Sequence, residues 1–249
     1  MSGHSKWSQI KRKKAVLDAK RGAKFTKLIR EITVAARAGG GDPEGNPRLR
    51  LAVDTAKAQN MPHENIGRAI KKGTGDLEGV CYEEATYEGY GPGGAAILVE
   101  VTTDNLNRTV AEIRHTFTKH GGNLGAPNSV AWLFERRGQI LIGAQERDED
   151  AAFEAALEAG AQDVVKDGDQ YIITTDPMTL NSVRQGLADV GLVPEEATLA
   201  MIPKSTVQVT GKDADRLLQL MSVLEANDDV SQVFSNFDID AETLAAAGE

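Results

Sequence analysis

The residues able to do chemistry are few, and their spacing rules most of it out. Among the four histidines, His4, His63, His115 and His120, no pair stands at HExxH or any other compact spacing that a metal site uses. The single cysteine, Cys81, has no histidine signature beside it, and no GxSxG elbow occurs, so nucleophilic catalysis lacks its parts. One cysteine also excludes an internal disulfide or a paired-cysteine metal knuckle, and it suits a reducing compartment. Cys81 reads as a small residue near a strand start. The carboxylates are abundant, but most fall on solvated helix faces such as residues 146–158. There is no GxxxxGK[ST] phosphate loop. Gly89-Tyr90-Gly91-Pro92-Gly93-Gly94 lies between two expected strands and opens no helix, so it reads as a hairpin connection. Gly121-Gly122-Asn123-Leu124-Gly125 follows a helix, where glycine supplies a left-handed cap. The expectation is a protein that is not an enzyme, with no cofactor, no metal and no small-molecule substrate.

The chemistry that the residues do support is neutralisation of phosphate. Residues 1–72 hold 17 Lys/Arg against 6 Asp/Glu, whereas residues 73–249 hold 11 against 31. The overall charge of −9 and the isoelectric point near 5.1 therefore hide a dipolar chain whose basic end is suited to a polyanion. The candidate nucleic-acid-binding residues are Lys6, Trp7, Lys11, Arg12, Lys13, Lys14, Lys20 and Arg21 in an arm over residues 1–22. Lys24, Lys27 and Arg30 on the helix behind it join them, with Arg48 and Arg50 on the next. Ile10, Val16 and Leu17 are too few to bury a face, so the arm is expected to be extended or partly helical. Trp7 serves either as an anchor packed on the helices or as a stacking surface for a base. A second candidate lies where Thr102-Thr103-Asp104-Asn105 passes from a strand end to a helix start. There Asp104 or Asn105 caps the helix, and Asn105, Asn107 and Arg108 are candidates for an anion or partner. The alternative is that Asn107 and Arg108 are plain surface residues.

Three helices must carry the basic block. Phe25, Leu28, Ile29, Ile32 and Ala36 repeat at three and four over residues 22–38, and Gly39-Gly40-Gly41 ends that helix. Asn46 followed by Pro47 is an N-cap with proline at the first helical position, opening a helix that buries Leu49, Ala52, Val53 and Ala56. Asn60 is expected to cap a third helix that has Pro62 in its first turn. Ile66, Ala69 and Ile70 lie inside it, Lys71 and Lys72 in its last turn, and Gly73 at its stop. Residues 23–79 then make a helical bundle with its linker.

From residue 82 the period becomes that of strands. Strands are expected at 82–88, 95–103 and 130–134, with a helix over 106–120. Next come a strand at 139–142, a helix at 149–159, strands at 163–166 and 170–174, a helix at 177–190 and a strand at 197–202. That β-α-β-β-α-β order is the ferredoxin-like arrangement. A strand at 206–210, a helix at 214–226 and a strand at 230–237 complete the chain. These last elements join residues 80–135 to give one discontinuous α+β domain, 80–135 plus 204–249, into which 136–203 is inserted, with Pro203 marking the return. The fold class is thus multidomain α and α+β. The insert is not an RNA-recognition motif, because its first strand is aliphatic where stacking aromatics are required. It also carries 5 Lys/Arg against 13 Asp/Glu, which repels a phosphate backbone.

Several motifs together resemble the YebC family. They are Gly3-His4-Ser5-Lys6-Trp7, Lys24-Phe25-Thr26-Lys27-Leu28-Ile29-Arg30-Glu31-Ile32, Asn46-Pro47-Arg48-Leu49-Arg50 and Asn60-Met61-Pro62. To these are added Tyr87-Glu88 with the glycine loop 89–94, Thr102-Thr103-Asp104-Asn105, Asn107-Arg108-Thr109 and Lys119-His120 with the glycines that follow. The resemblance implies three domains with a ferredoxin-like domain inserted in the second. It also implies one of two roles, DNA-binding transcriptional regulation or activation of translation through proline-rich stretches on the ribosome. Mitochondrial members carry a presequence ahead of the first motif, which here begins at residue 3, so a bacterial cytoplasmic protein is expected. No run reaches the length of a membrane helix. Because the arm's cations position without specifying and no helix-turn-helix is evident, ribosomal RNA is favoured over sequence-specific DNA as partner. The competing class is an acidic scaffold or unrecognised enzyme whose basic domain is a docking handle.

Overall fold

The computed structural model of the chain describes residues 21–144 and 149–239. These divide into two compact units, one of residues 135–202 and one of the described residues on either side of it.

The larger unit begins with three helices, α1 (Arg21–Gly39), α2 (Pro47–Ala58) and α3 (His63–Thr74). Their apolar faces meet in a core of Ile32, Ala35, Ala36, Leu49, Ala52, Val53, Ala56, Ile66 and Ala69. Asn46 caps α2 as its sequence requires. Its side chain accepts from Leu49 N at 3.1 Å while its amide donates to Ala35 O and Gly40 O, tying the turn to α1. Two expectations for α3 are corrected. Asn60 stands in the left-handed region at φ 58 and precedes the helix, while Pro62 occupies the cap position without a side-chain bond. Gly73 lies inside α3 rather than at its stop. A Cβ there would stand 2.4 Å from Thr33 O and 2.7 Å from Ala36 Cβ, so glycine is what lets α3 approach α1. The chain turns at Gly75, with φ 89.

The sheet of this unit has the order β3-β1-β2-β9, formed by β1 (Glu83–Tyr90), β2 (Ala96–Thr103), β3 (Asn123–Leu124) and β9 (Val230–Ser235). Two helices, α4 (Leu106–Lys119) and α7 (Gly211–Ala226), share one core with it. That core includes Ile97, Val99, Val101, Ile113, Phe117, Leu217, Leu220, Met221, Val230 and Val233. β1 and β2 pair antiparallel from Glu83 with Thr103 to Tyr90 with Ala96, and a short 3₁₀ turn at Pro92–Gly94 closes the hairpin. A strand expected at 130–134 is instead a 3₁₀ turn over Ala131–Leu133. The strand expected at 206–210 shrinks to β8 (Val207–Gln208), and that at 230–237 breaks before β10 (Phe237–Asp238), which pairs parallel with β8. The two-residue β3 was not expected. It exists because Gly89 opposes Leu124, and a Cβ at Gly89 would meet Phe117 and Asn123 O at 2.7 Å.

The smaller unit holds β4 (Phe134–Gly143), α5 (Glu149–Glu158), β5 (Asp163–Asp167), β6 (Gln170–Thr175), α6 (Leu180–Asp189) and β7 (Glu196–Pro203). Its sheet order is β5-β6-β4-β7. Ile140, Ile173, Ala156, Val183, Leu187 and Tyr171 are buried in it.

Candidate nucleic-acid interface

Of the cations expected to face nucleic acid, Lys6, Lys11, Arg12, Lys13, Lys14 and Lys20 lie outside the described residues, as does Trp7. Arg21 opens α1. The remaining five are placed, and the structure divides them sharply. Lys24 is exposed on α1. Lys27 Nζ donates to Glu225 O at 2.6 Å. Arg48 bridges Glu31 and Glu84 at 2.8 and 2.6 Å, and these two carboxylates drive its pKa upward, so its charge is permanent and already matched. Arg50 donates to Pro43 O and Glu44 O at 3.0 and 2.5 Å, folding back over the turn before α2.

Arg30 is the most committed of the set. Its Nη1 donates to Asp229 Oδ1 at 2.7 Å, to Asp228 O at 2.6 Å and to Thr102 O at 3.1 Å. Its guanidinium stands over the Tyr82 ring at 5.4 Å, a cation–π contact that shields it further. With 14% of its side chain exposed, Arg30 fastens α1 to the sheet. Outside these candidates, Lys57 and Lys71 are exposed.

The centre of this arrangement is Asp229, which sequence reasoning missed. Its carboxylate accepts from Arg30 through Oδ1, and through Oδ2 from Arg108 Nη2 and Thr109 Oγ1, both at 2.7 Å, and from Thr103 Oγ1 at 3.0 Å. Burial alone would raise its pKa. The hydrogen bonds from Arg108, Thr109, Arg30 and Thr103 outweigh that and hold it well below the usual carboxylate range. β2 brings the site together. Its register against β9 shifts between Glu100 and Val101, which lets Thr102 N reach Asp229 O at 2.8 Å.

The second candidate set feeds the same carboxylate. Asn105 is the N-cap of α4, its side chain accepting from Arg108 N at 3.0 Å. Arg108 also pairs with Asp104 at 2.7 Å. Asn107 is exposed, which leaves it the one side chain of the three turned to no partner among the described residues. The cleft here is lined by Arg30, Arg108, Glu112, Asn227, Asp228 and Asp229. Two cations facing three carboxylates give a net negative surface, which is unsuited to phosphate. Among the described residues no cluster of His, Cys, Asp and Glu is arranged to hold a metal ion, and no helix is long and apolar enough to cross a membrane.

A helical basic domain pinned to an α+β sheet is the architecture of a known family. The model of the TACO1/YebC protein N-terminal domain matches residues 5–76, and that of the TACO1/YebC second and third domain matches residues 82–237. The chain belongs to the TACO1/YebC family. A protein of Acidithiobacillus ferrooxidans named "Probable transcriptional regulatory protein" is 59% identical over 245 residues, 98% of each chain. One of the same name from Geotalea uraniireducens is 57% identical over 244 residues, again 98% of each. The crystal structure of a conserved hypothetical protein from Aquifex aeolicus superposes with a TM-score of 0.84 at 52% identity, covering 90% of this chain and 92% of that one.

Proposed function

We propose that this protein is a nucleic-acid-binding regulator of gene expression that works on the ribosome. In this reading it contacts ribosomal RNA through its basic arm and helical domain and helps synthesis through proline-rich stretches. The observation that carries the nucleic-acid reading is the concentration of positive charge at the start of the sequence, seven cations in residues 2–22. Arg30, Arg48 and Arg50 are matched inside the protein, so this reading assigns a partner's phosphates to the arm and to exposed lysines such as Lys24. The ribosomal part rests on the family resemblance and on the reading of the arm's cations as groups that position without specifying. The domain reading belongs with it: a three-helix bundle at 23–79, then the discontinuous α+β domain with 136–203 as a ferredoxin-like insert. The β5-β6-β4-β7 order and the compact unit of residues 135–202 support that insertion. The names of the curated relatives favour a second reading, a DNA-binding transcriptional regulator.

Sedimentation of the full chain with ribosomes, before and after ribonuclease, separates the two. Ribosomal reading expects co-sedimentation that ribonuclease abolishes, whereas a DNA regulator stays in the supernatant and binds duplex DNA. Deleting residues 2–22 is expected to weaken binding and flatten its salt dependence, by about 0.7 per lost phosphate contact on single strands and about 0.9 on duplex DNA. If affinity and slope both survive the deletion, the arm is not the nucleic-acid face.

A further inference from the structure

An acid-poor surface lies at the far end of the same unit from Asp229. Residues 89–99, 113–134 and 203–212 contain no Asp or Glu, in a body where acids elsewhere outnumber bases. The fold gathers parts of all three. Tyr90 pairs with Asn123, a Cβ at Gly93 would touch Val209 at 2.8 Å, and Lys204 N donates to Leu133 O at 2.8 Å. Asp238 is bonded to Gln208, and Glu88, which immediately precedes the first of these segments, is buried. Its carboxylate accepts from Asn128 N, Val130 N and Ala131 N at 2.6, 2.7 and 2.7 Å. Those bonds fix the 125–131 loop and cancel the charge without using a cation.

On that fixed loop stands Trp132, 65% exposed, with Tyr90 36% exposed beside it. Both rings are tethered to one atom. Trp132 Nε1 donates to Ser129 O at 3.1 Å, and Tyr90 Oη to the same oxygen at 3.0 Å. Lys204 Nζ is held on Trp132 O at 3.1 Å. An indole so placed has spent its one donor inside the protein, so what it offers outward is a π face in a set orientation. The same residue carries a cation, since Lys204 is bound to its carbonyl. A flat ligand with a phosphate nearby fits that chemistry, and a base stacked on an aromatic beside a cation is how single strands are held without sequence preference.

We infer that Trp132, with Tyr90 and Lys204, is a stacking site for an unpaired base of single-stranded RNA. This rests on the nucleic-acid reading above and extends it to a surface remote from the arm. The test uses the full-length chain carrying Trp7→Phe, which leaves Trp132 as the one remaining indole of two, and a short unstructured oligoadenylate RNA with an end label. Binding, followed by anisotropy, is expected to quench Trp132 emission along the same isotherm. Trp132→Ala in that chain should weaken binding about 5- to 150-fold, the equivalent of one lost stacked base, with an unchanged melting temperature and salt slope. Trp132→Phe should recover most of the loss, and Lys204→Ala should lower the salt slope by about 0.7. RNA bound with unaltered Trp132 emission, and equally well by Trp132→Ala, overturns the stacking site and leaves the nucleic-acid reading standing. A full chain that binds no RNA at all overturns both.

Discussion

Two regions of the larger unit are each built around a buried carboxylate, and they solve the same electrostatic problem in opposite ways. At Asp229 the charge is met by two guanidinium groups and two hydroxyls drawn from α1, β2 and α4. At Glu88 it is met by three backbone amides of one loop. The first solution joins segments far apart in sequence, and it consumes cations that a sequence reading assigns to a ligand. The second shapes a loop and uses no cation. Basic residues are therefore poor guides to a binding face until their internal partners are known.

The sharpest way to break this comparison is Asp229→Ala, which strands Arg30 without its counter-charge. Removing one partner of a buried ion pair costs about 3–5 kcal/mol, so chemical denaturation should show a loss of that size. If the loss is under about 1 kcal/mol, the network is not what holds α1 to the sheet. Glu88→Gln should cost less, about 1–3 kcal/mol, because an amide accepts from fewer of the three loop N–H groups and brings unwanted donors. The diagnostic is the loop, since Trp132 emission should change with Glu88→Gln and stay constant with Asp229→Ala.

Acid sharpens the comparison further. Both carboxylates titrate below their ordinary values in the folded protein, each despite burial and through the hydrogen bonds it accepts. A depressed folded pKa contributes stability that is present above the unfolded value, about 3.9 for Asp and 4.3 for Glu. That contribution is lost as pH falls through the folded value. Stability measured from pH 7 downward should begin to fall at about pH 5, and Asp229→Asn should flatten the acid limb more than Glu88→Gln does. The smallest effect belongs to Asn107→Ala. It should leave stability within about 0.5 kcal/mol while reducing partner binding. Arg108 cannot share that test, because its bond to Asp229 makes any loss structural as well.

How far the sequence reveals this molecule follows from the range of each interaction. The Asn46-Pro47 cap, the apolar stripe of α1 and the order of elements in residues 135–202 are written in neighbouring residues, so they are legible. Gly73 was misread as a stop because its reason, the backbone of α1 at Thr33, is 40 positions away. β4 is read as starting only at residue 139 because Glu135-Arg136-Arg137-Gly138 interrupts the apolar pattern. In the fold Gly138 opposes Thr175 and the strand runs through. Asp229 escapes notice for the same cause. Its partners lie 199 and 121 positions away, and nothing in Asn227-Asp228-Asp229 distinguishes a buried anion from a polar turn.

The cations that α1 sends inward also finish another helix. The last turn of α7 contains no basic residue of its own. Lys27 and Arg30 donate to Glu225 O and Asp228 O at its end and just beyond, each across 198 positions of sequence. A growing chain makes α1 early and α7 almost last, so the helix that completes the sheet meets a cap synthesised long before it. The loop closed by that contact spans most of the protein, which places it among the slow, late steps of folding. Until it closes, Lys27 and Arg30 of α1 lack the carbonyl partners that the end of α7 supplies.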